Sequence, residues 1–579
     1  MTADRDPSAE AASHRHPGGA SGQSEEAVAS GRWAARLSST FLPISIGPAA
    51  IWLLLVASTL AARPPLASVD SLVLAQAWWG WSATHTAEAD AFANHPPLLG
   101  WLIHAGWALF GVSQAWARLV GPLFGLGAIL LAGPVARLLW PRRPQAVATA
   151  PVILVGLGGF TAAIALTLPD LALNCMMLAG IAGLGLVLRD KPLAGWSVFG
   201  LALGLALLAR GSGALLYLAP LALALPWLAR NGESKPGAWL LGLTASLALA
   251  ALVALPWLLT APDPLAALVG DPTAYPNAPE LPPTRPWYWL LLLAPALLHP
   301  WAWWKPMWRA IRNQRRMPAD DGLRLVLAAA AVAIAAGFLT EGRSAYGLVP
   351  ALAPLALLAA RLLTVQENKP RDYHAALPAL PVLLVGLIFF LLNIVPVAHL
   401  DALWRQFVSP AGLPIWLGGT GLLSGIVLLG GAYLLGQATP RTLIARLVQL
   451  ALLPALVVVS FNIEFAQSLR QFFDLTPIAQ RIHVLQQSGR PVALFGAYRG
   501  EYDFVGRLER PITAFADADA VRDWAAQNPN GVVVSYFQSG MLRLPLRPLM
   551  LGAAGDNWVA LWRAADVVGS DAAVLAQHF

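Results

Sequence analysis

One stretch organises this sequence: it opens with Asp70-Ser71 and closes with Asn94-His95-Pro96-Pro97-Leu98-Leu99-Gly100-Trp101. It follows the first long apolar run, residues 41–61, and contains Glu88 and Asp90 but no lysine or arginine. For Glu88 and Asp90 the favoured interpretation is a set of solvated carboxylates in an interfacial aromatic belt. Asp70 and His95 are candidate functional residues, because each begins a motif that is described below.

The composition excludes an ordinary soluble protein, because the 579 residues are 57% hydrophobic and only 12% charged. Apolar runs of about 20 residues, each long enough to cross a hydrocarbon core of about 30 Å, recur between residues 41 and 465. Backbone groups cannot be left unpaired in lipid, so the runs predict helices. The single cysteine, Cys175, excludes an intrachain disulfide and a cysteine-cluster metal site.

These runs predict a polytopic α-helical membrane protein with about thirteen transmembrane helices. Residues 1–40 are expected to form a disordered cytoplasmic tail. Residues 41–465 form the predicted transmembrane domain, with a first outer loop at 62–116, and residues 466–579 a small α/β domain. The predicted spans are 41–61, 117–139, 146–166, 171–188, 193–209, 212–229, 237–261, 286–304, 323–340, 345–363, 375–398, 412–435 and 446–465.

Positive charge alternates between the loops. With the tail inside, the inner loops carry most of the basic residues and the outer loops few, which is the positive-inside pattern. The net charge of +7 therefore indicates topology and no nucleic-acid partner. An odd number of crossings places residues 466–579 outside, which predicts a bacterial inner-membrane protein with a periplasmic C-terminal domain. The inner-loop basic residues are Arg142 and Arg143, Arg189 and Lys191, Arg230 and Lys235, the cluster from Lys305 to Arg316, Lys369 and Arg371, and Arg441.

The long apolar runs end at about residue 466. Residues 491–496, 511–515, 531–536 and 558–562 read as short strands, with helices expected at Thr476–Gln487 and Ala518–Gln527. No glycine-rich phosphate loop opens either helix, so no nucleotide site is expected there. No cofactor is predicted, and the outer loops contain no His/Asp cluster that would predict a metal site.

The ionisable residues on the predicted outer side fall at the ends of spans, where a charge usually marks a site or a pathway. Each also has an ordinary explanation: Asp170 could cap a helix, Arg210 could snorkel to headgroups, and Tyr346 could belong to the aromatic belt. Together with Asp70 and His95, however, they would converge on one membrane face. The candidates at span ends are Asp170, Arg210, Arg285, Arg343 and Tyr346.

Carboxylates beside guanidinium groups at a lipid surface suit group transfer from a lipid phosphate. A carboxylate can take the proton of an acceptor hydroxyl as it attacks the anomeric carbon of a sugar. Arginines can neutralise the phosphate as it leaves. Asp70 and Asp170 are the catalytic candidates, and His95, Arg210, Arg285, Arg343 and Tyr346 the candidates for binding the donor phosphate. Because nucleotide sugars are cytoplasmic, an outer site needs a lipid-borne donor.

Several motifs resemble those of the C-type membrane glycosyltransferases, in particular the dolichyl-phosphate-mannose protein mannosyltransferase superfamily and its bacterial aminoarabinose–lipid A transferase branch. The resemblance covers nearly the whole chain. The motifs are His95-Pro-Pro-Leu-Leu-Gly-Trp-Leu-Ile103, Leu109-Phe-Gly-Val112, Ala117-Arg-Leu119, Pro169-Asp170, the run Gly204 to Gly211, Arg285-Pro-Trp-Tyr288, His299-Pro-Trp301, Tyr346 with Pro350, and Gly496 to Phe504.

The resemblance implies a C-type glycosyltransferase fold and assigns roles. Asp70 would activate the acceptor, Asp170 would line the same cavity, and His95 would contact the donor phosphate, as would Arg285 and Tyr346. Three departures leave the sugar and the acceptor open. Ser71 stands where relatives often have Glu, His95 stands where the aminoarabinose branch usually has Lys, and the Arg expected shortly after the first Asp is absent, since Leu72 to Trp79 are uncharged.

The leading hypothesis is thus a glycosyltransferase that uses a polyprenyl-phosphate sugar donor and a glycolipid (lipid A- or lipopolysaccharide-like), polysaccharide or protein hydroxyl acceptor, in contact with membrane lipids. A transporter or flippase of lipid-linked sugars is the alternative, although such proteins commonly show internal repeats and broken helices at mid-membrane. A third possibility is an inactive member whose C-terminal domain recruits partners.

Overall fold

The computed structural model is predominantly helical. The predicted tail, 1–40, and the candidates Arg285 and Arg343 lie outside the described residues. The structure describes residues 46–66, 70–82, 92–229, 236–269, 288–315, 319–339, 345–364, 374–407, 417, 422–438, 440, 442–538, 547–555 and 557–568.

The first part of the chain forms helices α1 to α11. They are α1 Ile46–Ala62, α2 Ser71–Trp81, α3 Leu98–Phe110, α4 Gln114–Leu139, α5 Pro144–Val155, α6 Gly158–Ala165, α7 Leu171–Val187, α8 Pro192–Arg210, α9 Gly213–Leu228, α10 Pro236–Thr260 and α11 Pro264–Val269.

The second part continues with α12 to α19 and two 3₁₀ segments, Trp301–Trp303 and Ala345–Ala351. The helices are α12 Trp289–Leu297, α13 Lys305–Gln314, α14 Asp321–Leu339, α15 Leu352–Leu363, α16 Ala376–Ile394, α17 Val397–Phe407, α18 Leu422–Gln437 and α19 Leu443–Phe473.

Among the described residues, seven helices are long and apolar enough to cross a membrane, and the bent pair α5–α6 would make an eighth span. Five shorter apolar helices accompany them. The fold class is therefore as predicted, whereas the count of about thirteen crossings stays a prediction. The predicted span 286–304 is interrupted: α12 covers nine residues, and Pro300, which has no N–H to continue a helix, precedes the 3₁₀ segment Trp301–Trp303.

The predicted first outer loop contains two helices, α2 and α3. Helix α3 buries Ile103 and Trp107 but exposes Trp101, Leu109 and Phe110. An apolar face left exposed on a short helix is typical of a segment that lies in the membrane interface.

The C-terminal part contains one five-stranded sheet in the order β2-β1-β3-β5-β4. β1 pairs in parallel with β2 and β3, whereas β5 runs antiparallel to β3 and β4. The elements are α20 Thr476–Gln487, β1 Val492–Phe495, α21 Asp503–Gly506, β2 Thr513–Phe515, α22 Ala518–Gln527, β3 Val532–Gln538, β4 Met550–Ala554, β5 Asn557–Arg563 and α23 Ala564–Val568.

Successive strand residues point to opposite faces of the sheet, and both faces are covered by other elements. Val532 and Val534 lie in a core cluster with α20, whereas Val533 lies in a second cluster with α22 and α23. The first cluster also contains Ala75 and Trp79 of α2. Helix α2 therefore packs on the sheet beside α20, as an element of the C-terminal layer.

Candidate functional site

Asp70 lies directly before α2 and is 5% exposed. Its Oδ2 accepts hydrogen bonds from Arg63 Nη1 at 3.1 Å and from the backbone N–H of Leu66 at 2.9 Å. Its Oδ1 accepts a hydrogen bond from Thr167 Oγ1 at 2.5 Å. The carboxylate is thus fixed from two directions, by the end of α1 and by the segment before α7.

Two guanidinium groups face this one carboxylate. Besides Arg63, Arg118 of α4 places Nε 3.7 Å from Asp70 Oδ2, and both arginine side chains are buried. Arg118 Nη1 donates to the carbonyl of Arg63 at 2.8 Å, whereas Arg118 Nη2 has no hydrogen-bond acceptor among the described residues. A buried charge needs a counter-charge or hydrogen bonds, so this group leaves an excess of positive charge that suits an anionic ligand.

The segment that carries Thr167 lies directly on α4. Thr167 has a φ of 57°, a left-handed conformation that a β-branched residue rarely adopts. A Cβ at Gly121 would lie 2.7 Å from the carbonyl oxygen of Leu168, closer than real contacts allow. The glycine therefore permits the approach that brings the hydroxyl of Thr167 to Asp70.

Asp170 follows three residues later and forms a largely buried ion pair with Arg210, at the end of α8. Its side chain makes no capping hydrogen bond to α7, so the ordinary explanation as a helix cap does not apply. The guanidinium of Arg210 pairs with the carboxylate of Asp170, so its position is explained by this ion pair and not by snorkelling to headgroups. Gly211, with a φ of 62°, lies against the His95 loop: a Cβ there would be 3.5 Å from Pro96 Cγ.

His95 borders a cavity of about 270 Å³. Gln76 of α2 holds the loop, since its Nε2 donates to the carbonyl of Pro96 at 3.0 Å. Trp101, His104 and Trp257 also line the cavity. Small-molecule sites commonly have aromatic walls with a few hydrogen-bonding groups. Gln76 lies about 9 Å from Asp70 along the axis of α2, at 1.5 Å per residue.

The hydroxyl of Thr167 links Asp70 to the segment that carries Asp170, and Asp170 pairs with Arg210 beside the His95 loop. Within this cluster Asp70 and His95 line separate cavities. Tyr346 is half-buried in the 3₁₀ segment. Two carbonyls of that segment bind neighbouring helices: Val349 O accepts from Asn174 of α7 at 2.7 Å, and Gly347 O accepts from Tyr217 at 2.8 Å. No group of three metal-ligating side chains occurs within the described ranges.

Sequence reasoning missed three residues of this cluster: Arg63, Arg118 and Thr167. Arg118 had a usable signal, because it is a lone charge inside an apolar run. Arg63 lies just beyond an apolar run, where a basic residue is ordinarily a loop charge. Thr167 had no signal of its own, since its role depends on a backbone conformation.

Residues 94–258 match the family described as dolichyl-phosphate-mannose-protein mannosyltransferase. The chain is 27% identical over 329 residues to undecaprenyl phosphate-alpha-4-amino-4-deoxy-L-arabinose arabinosyl transferase 2 of Pseudomonas fluorescens. That match covers 53% of this chain and 56% of the relative, so the chain spans about half the length of this curated relative.

The fold agrees over a longer range. ArnT from Cupriavidus metallidurans in the apo state superimposes with a TM-score of 0.63 at 16% identity, covering 94% of this chain and all of that one. The same protein bound to undecaprenyl phosphate gives 0.63 at 17% identity, covering 90% and 98%. The family-model match and the curated relative confirm the resemblance to the C-type membrane glycosyltransferases, and the structural matches show that this chain has the fold of ArnT.

Proposed function

We propose that this chain is a membrane glycosyltransferase that moves a sugar from a polyprenyl-phosphate donor to an acceptor hydroxyl. The acceptor is a lipid of the lipid A or lipopolysaccharide type, a polysaccharide or a protein. The transfer takes place on the periplasmic face of the bacterial inner membrane. The curated relative is named as an undecaprenyl-phosphate aminoarabinose transferase, and a structure of ArnT holds undecaprenyl phosphate, which supports this class of donor.

The observation that carries the proposal is the connected cluster from Asp70 through Thr167 and Asp170 to Arg210 and the His95 loop. It combines two buried carboxylates with guanidinium and imidazole groups beside apolar helices. A charged group at such a place is costly and usually functional. A purely structural ion pair would not need the surplus guanidinium of Arg118.

The proposed reaction moves one proton and one glycosyl group. The acceptor oxygen forms a bond to the anomeric carbon while the bond from that carbon to the phosphate oxygen breaks, and the phosphate keeps the electron pair. Asp70 takes the acceptor proton. His95 and Arg210 stabilise the phosphate as charge develops on it, and Asp170 orients Arg210. Arg285, Arg343 and Tyr346 are proposed as further phosphate contacts.

Radiolabelled donors in reconstituted vesicles test the proposal. Undecaprenyl-phosphate aminoarabinose and undecaprenyl-phosphate mannose are supplied with envelope lipids, glycans and proteins as acceptors. The wild type is expected to transfer label covalently and Asp70→Asn to lose transfer at least a thousandfold, about 4 kcal/mol of barrier. Asp523→Asn, the same change at an exposed site of the C-terminal domain, is the control and should transfer normally.

Other outcomes lead to other functions. Normal transfer by Asp70→Asn would remove Asp70 from the mechanism. Labelled lipid that crosses the bilayer without a covalent product would identify a transporter or flippase. A folded wild type that neither transfers label nor moves labelled lipid across the bilayer would be an inactive member.

A further inference from the structure

We propose that the C-terminal domain positions the helix that begins at Asp70, and that Trp79 and Asp503 are the positioning residues. The proposal rests on the function proposed above for Asp70. It makes residues 498–508 part of the transfer machinery, although they act through α2 and not on the substrate.

The central contact is a buried hydrogen bond between the two parts of the chain. Trp79 Nε1, in α2, donates to Asp503 Oδ2 at 2.8 Å. Trp79 is 1% exposed and Asp503 is fully buried. The hydroxyl of Tyr498 donates to the other carboxylate oxygen. Because an unsatisfied buried carboxylate is costly, Asp503 requires both donors, and one of them comes from α2.

A second row of contacts links α2 and α3 to the same segment. Trp78 Nε1 donates to the carbonyl of Leu508 at 2.8 Å. The guanidinium of Arg507 lies 4.9 Å from the ring centre of Trp78 and 3.9 Å from that of Phe504, within the range of cation–π attraction. Phe504 in turn stacks on Trp107 of α3 at 5.4 Å. The segment Phe504–Leu508 thus bridges the two helices that follow Asp70 and His95.

The packing gives this contact control over the position of Asp70. Helix α2 buries Ala75 and Trp79 in the core of the C-terminal sheet, while Asp70, just before its first turn, bonds to Arg63 and Thr167. Trp79 lies about 13 Å along the axis from Asp70 at 1.5 Å per residue. A helix held at both ends cannot tilt or slide freely. Loosening the Trp79 end lets Asp70 shift, and a displacement of about 1 Å at a reacting group can cost roughly 100-fold in rate.

The test compares Trp79→Phe, Asp503→Asn and the double variant with the full-length wild type in vesicles. Trp79→Phe removes only the indole N–H and keeps an aromatic ring. The matched control is Trp562→Phe, since Trp562 Nε1 donates to Ser535 Oγ at 2.8 Å and packs on the opposite face of the sheet. The donor is whichever of the two labelled undecaprenyl-phosphate sugars the wild type uses.

We expect Trp79→Phe and Asp503→Asn to lower kcat about tenfold with the KM for the donor within about twofold of wild type. The double variant should lose no more than the worse single variant, because both changes act on one bond: Trp79→Phe removes its donor, and Asp503→Asn leaves a single acceptor oxygen for Trp79 and Tyr498. Trp562→Phe should lower Tm by a similar amount and leave kcat unchanged. A folded Trp79→Phe with wild-type kcat would overturn the proposal, as would an equal loss of kcat in the control.

Hydrogen exchange separates this proposal from the proposed function, because it needs no substrate. The amides of residues 74–78, which are hydrogen-bonded within α2, should exchange faster in Trp79→Phe than in the wild type and in Trp562→Phe. Unchanged exchange in Trp79→Phe overturns the positioning role even if the enzyme is active. A wild type without transfer activity, combined with faster exchange in Trp79→Phe, overturns only the proposed function.

Discussion

At the scale of single residues, Thr167 joins two unusual features. Its backbone is left-handed, and its hydroxyl donates to Asp70 Oδ1 while accepting from Arg63 Nη2 at 3.1 Å. A hydroxyl can do both at once. Thr167 therefore sets the distance between the carboxylate and its first guanidinium partner.

Replacing Thr167 by Val keeps the shape and removes the hydroxyl. A hydrogen bond to a charged group contributes about 1.5–3 kcal/mol, so we expect kcat to fall roughly 10- to 100-fold. Thr167→Ser keeps the hydroxyl and should stay close to wild type. Transfer of labelled sugar in vesicles measures both. Equal losses in the Val and Ser variants would show that the methyl group and not the hydroxyl matters.

The charge balance at Asp70 gives a stability prediction. Asp70→Asn leaves Arg63 and Arg118 buried without their shared counter-charge, and breaking a buried pair typically costs about 3–5 kcal/mol. Adding Arg118→Gln removes one of the uncompensated charges, so the double variant should recover part of the lost Tm but no activity. Thermal unfolding in detergent measures this. A double variant less stable than Asp70→Asn would contradict it.

The candidate site could be predicted from the sequence only where a charge interrupts an apolar run. Asp70, Asp170 and Arg210 were found in this way, and the structure connects them. Their proposed roles stay predictions. The pairing of Arg63 with Asp70 joins residues seven positions apart, and that of Thr167 with Asp70 joins residues far apart in the sequence. Neither contact follows from local periodicity.

At the scale of elements, helix α4 depends on a glycine at one crossing. A Cβ at Gly121 meets two backbone carbonyls, Leu168 O at 2.7 Å and Thr167 O at 3.0 Å, and backbone cannot move aside cheaply. Gly121→Ala should therefore destabilise the protein by about 1–3 kcal/mol and lower transfer by displacing Thr167. Gly127→Ala on the same helix meets only Cys175 Sγ at 3.3 Å and should be much milder. Measurements of Tm and kcat for the two variants test this difference.

The C-terminal layer contains a carboxylate that makes stability depend on pH. Burial raises the pKa of Glu501, although its Oε1 accepts a hydrogen bond from Tyr536 at 2.8 Å. Burial also holds the pKa of Tyr536 well above its usual value, so that its proton is retained. A raised carboxyl pKa favours the protonated form on folding. Its stabilising contribution is complete below the unfolded pKa of about 4.3 and is lost as pH rises to the folded value.

Glu501→Gln should therefore gain Tm relative to the wild type as pH rises from about 4 to 7, since the neutral amide does not titrate. Gln527→Ala, at an exposed position of the same layer that carries no titrating group, is the control and should keep a constant difference from the wild type. Scanning fluorimetry across this pH range measures the two differences. If the Tm of the wild type instead rises relative to that of Glu501→Gln as pH rises, the pKa of Glu501 is not raised by folding.

Short elements were predicted well where alternation was strong. Strands β1, β2, β3 and β5 and helices α20 and α22 all lie where the sequence placed them. Strand β4, Met550–Ala554, was missed because Gly552, Ala553 and Ala554 give no alternation. The sequence predicts a loop where helix α2 lies, since an interfacial belt explains its tryptophans equally well. Its position depends on packing against a sheet that lies about 400 residues later.

At the scale of the whole molecule, the charge pattern predicts which side of the membrane each part faces. Ser488→Cys in the C-terminal layer and Asn313→Cys at the end of α13 place thiols at exposed positions, while the native Cys175 is buried. A membrane-impermeant maleimide added to intact spheroplasts should label Ser488→Cys and leave Asn313→Cys unlabelled until the membrane is permeabilised. The reverse pattern would invert the proposed topology.

The fold class followed from composition alone, because runs of about 20 apolar residues leave few alternatives in lipid. The order of helices in space did not follow. Contacts such as Trp52 Nε1 to Pro122 O at 2.8 Å, or Asn462 Nδ2 to Thr59 Oγ1 at 3.0 Å, join distant spans. Packing between apolar helices depends on shape, which residue class does not encode.

The space next to Asp70 measures about 20 Å³, and one water molecule needs about 10–15 Å³. If Asp70 is the base proposed above, a sugar ring reaches it only when the surrounding helices part, and they would reclose in each catalytic cycle. If that opening is slower than the chemistry, turnover should decline as glycerol thickens the medium or as the bilayer is stiffened with saturated lipids. Labelled transfer at graded viscosity would show it, and a flat response would mean that bond making limits the rate.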